Sequence, residues 1–334
     1  MVEITPDRLN EIQKKFEGKR VAVIGDLMLD RYFWGKVARI SPEAPVPIVE
    51  VDEESTRLGG AANVANNIAS LGGVPLMIGV VGNDSSADAL RKLVQSKGFP
   101  IDGIIVDPSR PTTIKTRVIA HNQHVVRIDH EEKRDLSADM EKKLKETLEK
   151  QIGLIDGIIL EDYNKGVLTR DLIHQIIRIA QEKKKSVLVD PKFNNFFSYQ
   201  GVTVFKPNRK ETEEALGRRI IEFKDIEEAA RELLNRLKSE NILMTLGEKG
   251  MALLESDGTF SHVETKARHV ADVSGAGDTV IATLAMALVS GATIKEAAVL
   301  ANYAGGIVCG EVGIVPIEKN ILLETILKDN NKGR

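Results

Sequence analysis

The sequence predicts an α/β fold built on one open, mostly parallel sheet, and three observations predict it. Short apolar runs at 20–24, 74–81, 154–160, 186–189 and 242–246 have strand length and are rich in β-branched residues. Stretches with helical spacing, among them 85–97, 169–183 and 294–308, alternate with them. Polar residues collect directly after the apolar runs, where open α/β sheets place their sites. With 334 residues, the chain has the length for one large domain with a small appendage.

Composition narrows the function classes. Hydrophobic residues make up 42% and charged residues 28%, an ordinary globular profile. A net charge of -3 gives no reason to expect nucleic acid or an anionic membrane as the main partner. Six histidines and a single cysteine, Cys309, exclude a disulfide scaffold and a thiolate metal cluster and suit a reducing medium. No apolar run reaches membrane length, and residues 2–7 lack a basic-then-apolar signal pattern. A cytoplasmic enzyme is the expectation.

An amphipathic helix over 9–16 precedes the first strand, 20–24, which runs into Gly25-Asp26-Leu27-Met28-Leu29-Asp30. A buried parallel strand ending in a glycine and two carboxylates four apart suits a polar ligand, although Asp26 or Asp30 could equally cap or turn the chain. Segment 34–51 has scattered β-formers, Pro42, Pro45 and Pro47, and no helical period. That pattern predicts an edge strand or small exposed sheet, a flap beside the main domain. Next come Gly59 and Gly60 before a small-residue helix with Asn63 on its first turns. The glycines permit very close backbone approach. Packing explains the alanines of this helix better than its adjacent Asn66 and Asn67.

A strand over 74–81, a helix over 85–97 and a strand over 103–106 follow. Residues 111–119 and 125–129 then predict two antiparallel strands around His121-Asn122-Gln123-His124. Strand alternation turns Lys115 and Arg117 to one side, either as a solvated face or as a receptor for a substrate phosphate. In the second half, 154–160 ends at Glu161-Asp162-Tyr163-Asn164-Lys165-Gly166, and 186–189 ends at Asp190-Pro191-Lys192. Strand 202–205 ends at Lys206-Pro207-Asn208, and Asn208 opens a helix carrying Glu211. Strand 242–246 leads to Gly247-Glu248-Lys249-Gly250, and 251–254 with 259–263 predicts a hairpin turned by Asp257-Gly258.

The stretch with most chemistry is Asp272-Val273-Ser274-Gly275-Ala276-Gly277-Asp278-Thr279, followed at once by an apolar helical run. Its small residues let the backbone turn tightly into a helix whose first amides lack partners, which makes an anion site. Asp278 within it is either an ordinary helix-start residue or a base beside the anion. The chain lacks Gly-x-x-x-x-Gly-Lys-[Ser/Thr], the protein-kinase signatures and the glycine fingerprint of dinucleotide enzymes. The combination suits in-line phosphoryl transfer to an alcohol. Amides at Ala276 and Gly277 would stabilise developing charge while Asp278 deprotonates the hydroxyl.

The octamer ending in Asp278 closely resembles the carboxy-terminal signature of the ribokinase-like (PfkB) carbohydrate kinases, and 58–67 resembles their amino-terminal signature. Asp162, Asp190, Lys206-Pro207-Asn208 with Glu211, and Thr245-Leu246-Gly247-Glu248-Lys249-Gly250 fall in family order along the whole chain. The resemblance implies a three-layer α/β/α sandwich over 1–334 with a small β-sheet lid formed mainly by 32–57 and 112–130. It implies Asp278 as base and Gly275, Ala276 and Gly277 as anion hole. Asp30, Gly59, Gly60 and Asn63 would grip sugar hydroxyls, with Asp26 ordering their loop. Lys115, Arg117 and Asn122, with Lys165 or Lys192, would meet a second phosphate on the sugar. Asp162, Asn208, Thr245, Gly247, Gly250 and Asn302 would border ATP, and Glu211 would help to arrange Mg²⁺ through water.

Within the family, segments 25–32, 41–47, 59–65 and 115–117 with Asn122-Gln123 are similar to the branch acting in the ADP-heptose pathway. That likeness implies ATP-dependent phosphorylation of D-glycero-β-D-manno-heptose 7-phosphate on O1, by a homodimer joined through the lid. The chain ends at Arg334, where many relatives continue into a cytidylyltransferase domain, so a separate nucleotidyltransferase is expected downstream. Glu161 departs from the family, which more often has a small polar residue there. Another sugar or sugar phosphate is the nearest alternative substrate. A sugar- or nucleotide-binding regulator without turnover is the alternative of another class. Intact Asp278 argues against it, because binding alone would be stronger without a carboxylate near phosphate.

Overall fold

The computed structural model describes residues 4–121, 123–265 and 270–332, with side chains through 330. Its large sheet has nine strands. In spatial order they are β13 (Phe260–Val263), β12 (Met251–Glu255), β11 (Asn241–Thr245), β10 (Val204–Phe205), β9 (Ser186–Asp190), β8 (Gly157–Glu161), β1 (Arg20–Gly25), β4 (Val74–Val81) and β5 (Ile104–Val106). The seven from β11 to β5 are parallel, and β12 and β13 close one edge as the predicted antiparallel hairpin.

Two apolar cores lie on opposite faces of this sheet, because successive residues of a strand point to opposite sides. Val21 and Val23 join one core while Ala22 and Ile24 join the other, and Leu243 faces away from Ile242 and Met244 in the same manner. The first face is covered by α1 (Pro6–Lys14), α2 (Ala61–Ser70), α3 (Ser85–Ser96), α8 (Ala276–Val289), α9 (Ile294–Val308) and α10 (Lys319–Lys332). On the second lie α4 (Ala138–Gln151), α5 (Arg170–Glu182) and α7 (Phe223–Leu237). The short α6 (Arg209–Leu216) starts beside the strand ends. The expected α/β/α sandwich is thus observed. Helix α8 is buried from Asp278 to Ala287 because its sequence is apolar on every side.

The second sheet pairs β3 (Pro47–Gly60), β2 (Leu27–Ile40), β6 (Thr113–Ala120) and β7 (Gln123–His130) in that order. Segment 34–51 lies in this small sheet, as expected, as part of a long hairpin with 14 residues in each strand whose β3 forms one edge. The prolines do not interrupt it: Pro42 and Pro45 fall in its turn, and Pro47 is the first residue of β3. Asp30 consequently lies inside β2, and Asp26 is the single residue between β1 and β2. The sequence reading had no α7 or α10. Helix α7 buries Ile226, Ala229, Ala230, Leu233 and Leu237, a helical stripe that was legible in principle.

The join at Asp26 depends on Gly25. A Cβ on Gly25 would lie 1.9 Å from the Glu161 carbonyl oxygen of neighbouring β8, and backbone on both sides leaves no route for relief. Gly25→Ala is therefore expected to lower the unfolding free energy by about 2 kcal/mol or more. Urea denaturation at equilibrium checks it, and a loss below about 0.5 kcal/mol would refute the close approach.

Candidate active site

The carboxyl ends of β8 to β11 and the amino end of α8 enclose a cleft of about 520 Å³ whose lining includes Tyr163, Asp190, Lys206, Asn208, Thr245 and Asp278. Its size and position suit a small-molecule site. Gly275 caps α8 in the left-handed conformation, φ 78°. The Ala276 N–H donates to the Val273 carbonyl at 3.3 Å, so it is not free for an anion as the sequence suggested. Helix geometry leaves the next amides, of Gly277 and Asp278, without partners inside the helix.

Asp278 is 3% exposed. Its Oδ2 accepts from Asn63 Nδ2 and its Oδ1 from the Tyr163 hydroxyl, both at 2.7 Å. Burial lifts its pKa to about 6, assisted by the charges of Asp190 and Asp30, while the two hydrogen bonds pull it back. At neutral pH it is an ionised, aimed carboxylate with appreciable basicity. Of the two adjacent asparagines of α2, the structure gives Asn67 a role. It donates from Nδ2 to the Asn63 carbonyl at 2.9 Å, and its Oδ1 accepts from Thr279 Oγ1 and Ile317 N–H, each at 2.9 Å.

Asp26 does not reach into the cleft. Its oxygens accept from the backbone N–H groups of Tyr163 at 2.7 Å, Lys165 at 3.1 Å and Val167 at 3.4 Å. It orders the loop after β8 rather than the stretch carrying Asp30. Burial raises its pKa to about 7, with the nearby Asp162 adding to the rise and the three amides opposing it. Asp162, expected beside the nucleotide, also turns inward: its oxygens accept from Asn164 N–H and the Tyr199 hydroxyl, each at 2.7 Å. Sequence order placed Asp162 correctly at a strand end but could not show which way it points.

Asp30 pairs with Arg117, and its carboxylate lies against Gly59, where a Cβ would sit 2.0 Å from Oδ2. Gly60, with φ 55°, would bring a Cβ within 2.5 Å of the Asp26 carbonyl oxygen. These glycines thus admit the close approach that their sequence suggested. Lys115 stands opposite Asp30 in the parallel β2–β6 register. Its Nζ lies over the Tyr163 ring, 4.9 Å from the centroid, and Lys192 Nζ lies over the same ring at 5.4 Å. Burial, and then Lys165, lower the Lys115 pKa. Lys165 Nζ is tied to Glu131 at 2.7 Å. Asn122 lies outside the described residues.

On the other side, Asn208 and Glu211 form a capping box for α6, with hydrogen bonds of 2.8 Å in each direction, and Lys192 also pairs with Glu211. Burial works against the Lys192 charge, but Asp190 and Glu211 outweigh it and hold its pKa above the usual lysine range. Among the described residues no three His, Cys, Asp or Glu are placed together to hold a metal ion. The donors suit a hydrated ion carried by a phosphate ligand. Thr245 and Gly247 line the cleft. Gly250 serves the chain nearby, since a Cβ there would meet the Val263 carbonyl oxygen at 2.0 Å, and Asn302 donates to the Glu264 carbonyl at 2.7 Å.

Sequence reasoning assigned no role to Tyr163, Asp190 or Lys206. Lys206 Nζ pairs with Asp190 Oδ2 at 2.8 Å behind Gly277. Glu161 is 1% exposed, and its Oε2 has no hydrogen-bond partner. Burial above all, with the charges of Asp190 and Asp278, holds its carboxyl well above the usual range. Position after an apolar strand was the available signal for all four.

The raised carboxyls set a pH dependence of stability. Asp26 and Asp278 titrate near 7 and 6 in the fold but near 4 unfolded, so between those values the native state holds protons that the unfolded chain has released. Stability therefore rises as pH falls from 8 to about 6 and is lost as pH rises through the folded values. Urea midpoints compared at about pH 8 and pH 6 check this, and a lower midpoint at pH 6 would contradict it.

Comparison with known proteins matches residues 19–320 to the family described as pfkB family carbohydrate kinase. The protein named bifunctional protein HldE from Desulfatibacillum aliphaticivorans is 43% identical over 304 residues, covering 91% of this chain and 62% of its own length. One of the same name from Helicobacter pylori is 41% identical, covering 94% of this chain and 71% of its own length. Escherichia coli phosphofructokinase-2, solved with potassium, superposes with a TM-score of 0.76 at 19% identity, covering 93% of this chain and 99% of its own. Arabidopsis thaliana ribokinase, solved with ribose and ATP, gives 0.73 at 19% identity with the same coverages. These two likenesses bear on the fold alone. On the match running from residue 19 to 320, the chain belongs to the pfkB family of carbohydrate kinases.

Proposed function

We propose that the protein transfers the terminal phosphoryl group of ATP to O1 of D-glycero-β-D-manno-heptose 7-phosphate, giving the 1,7-bisphosphate. The observation that carries the reaction type is Asp278, a buried carboxylate aimed by Asn63 and Tyr163 within the glycine-rich start of α8. In this reading Asp278 accepts the proton of the attacking hydroxyl. The Gly277 and Asp278 amides, with the positive end of α8, stabilise charge on the transferring group. Asp30, Gly59, Gly60 and Asn63 border the sugar. Lys115, Arg117 and Lys192 receive its phosphate, for which the Arg117–Asp30 pair must open or share. Asn208, Thr245 and Gly247 border the nucleotide. Asn208 and Glu211 would hold, through water, the Mg²⁺ accompanying the nucleotide, which when bound would supply neutralisation of phosphate charge. Asp26 and Asp162 position backbone instead of touching ligand.

The four-stranded sheet acts as the lid, excluding water during transfer. It exposes Val46, Val51 and Val126 at an apolar groove of about 510 Å³. An apolar surface of this kind suits contact with a second copy, so the lid also forms a homodimer interface. The identity to proteins named HldE and the segments shared with the ADP-heptose branch support the heptose. The cations around Tyr163 favour phosphorylated over free sugars, and another sugar phosphate is the second reading.

Asp278→Asn is expected to fold and bind both substrates but to lose roughly 10²- to 10⁴-fold in kcat. Near-normal turnover would remove Asp278 as the base. Lys115→Ala should raise KM for the sugar phosphate roughly tenfold and spare that for ATP, whereas an equal rise for ATP would place the lysine elsewhere. ATP consumption screened across phosphorylated and free sugars, with NMR of the product, tests the substrate. Phosphorylation of another sugar, or of a hydroxyl other than O1, would overturn the assignment.

A further inference from the structure

Tyr163 makes three separate connections from one side chain and one peptide. Its N–H is fixed on Asp26 Oδ2 at 2.7 Å, which pins the residue at the end of β8. Its hydroxyl reaches Asp278 Oδ1 at 2.7 Å. The ring lies beneath two ammonium groups from different elements, Lys115 of β6 at 4.9 Å and Lys192 after β9 at 5.4 Å from the centroid. A phenol meant only to fill space would require neither a carboxylate at its tip nor cations at its face.

We propose that Tyr163 is a positioning residue for phosphoryl transfer, aiming the Asp278 carboxylate with its hydroxyl while seating on its ring the two lysines that meet the anionic end of the sugar. The inference rests on the proposed roles of Asp278 and these lysines. A rigid ring with a negative face attracts both ammonium groups and holds them a fixed distance from the base. The spacing between the reacting hydroxyl and the far phosphate is thereby read by one planar side chain. Because the ring is shared, drawing the lysines onto a phosphate also settles the tilt of the hydroxyl on Asp278. A sugar without that phosphate loses this alignment as well as binding energy.

The charged surroundings of Asp278 are Glu161 from β8, Asp190 from β9 and Asp30 from β2, with Lys206 paired to Asp190 beside Gly277, Lys115 and Lys192 over the Tyr163 ring, and the neutral Asn63 from α2. Of these surroundings, the Tyr163 and Asn63 hydrogen bonds favour the ionised carboxylate, whereas burial and the neighbouring carboxylates oppose it. Removing only the phenolic oxygen should therefore make Asp278 harder to ionise.

The test compares Tyr163→Phe, Tyr163→Leu and Asp278→Asn with the parent enzyme, using the sugar phosphate and ATP from about pH 5 to 9. Thermal melts serve as the folding check. Tyr163→Phe should move the acid limb of kcat/KM upward by about half a pH unit or more and reduce kcat at neutral pH roughly tenfold, leaving KM for ATP unchanged. Tyr163→Leu should add a roughly tenfold rise in KM for the sugar phosphate. An unmoved acid limb with unchanged kcat in Tyr163→Phe would overturn the aiming role. A KM in Tyr163→Leu equal to that of Tyr163→Phe would overturn the lysine seat. Active Asp278→Asn would remove the underlying base assignment, whereas inactive Asp278→Asn beside a parent-like Tyr163→Phe would remove the Tyr163 role alone.

Discussion

The site is organised around one buried carboxylate with two hydrogen-bond donors aimed at it. Asp278 is held by one donor 215 residues away, Asn63, and another 115 residues away, Tyr163. Those two bonds can form only if α2, the loop after β8 and the start of α8 converge at one point. Much of the local architecture secures that convergence. Asn67 ties α2 to Thr279 and Ile317, Asp26 ties the loop to the first strand, and Gly25 lets β1 and β8 approach closely enough for Asp26 to reach it.

Such a site works against burial. Asp26, Asp30, Glu161, Asp190 and Asp278 are all buried, and each ionised carboxylate among them loses hydration. The fold offsets part of this with Arg117 on Asp30, Lys206 on Asp190, and three backbone amides on Asp26. Glu161 is the exception, with one oxygen left unpartnered. A carboxyl pushed upward by burial and by two neighbouring carboxylates can relieve the conflict by holding a proton. The cations serve two ends: they compensate acids in the fold and leave positive charge beside the cleft, where an anionic substrate can compete for it.

The fold was largely legible because its signals are local. Apolar runs of strand length gave the parallel sheet, and the edge hairpin around Asp257-Gly258 was recognisable from its turn. The glycine-rich entry to α8 was equally plain. The prolines of 34–51 pointed to an edge strand or small exposed sheet, and β3 is an edge strand of the small sheet; they did not give the length of the β2–β3 hairpin, because they cluster at its turn and leave both strands intact. In the site, Asp278, Asn63, Lys115 and Lys192 could be nominated from position. Tyr163 shared that position after a strand, but its role could not be read, because an aromatic residue there is uninformative until the partners of its ring and hydroxyl are known. Asp162 was misdirected for the same reason: only packing showed that it turns toward Tyr199.

Local sequence alone determined the α/β class, the strand ends that carry polar residues and the glycine-rich helix start, since each depends on nearby residue types and their spacing. Tertiary structure decided which polar side chains face the cleft, which hold up the backbone and which compensate one another. Those choices depend on separations in space, through burial, charge and hydrogen bonding, between residues such as Asn63, Tyr163 and Asp278 that no local pattern connects.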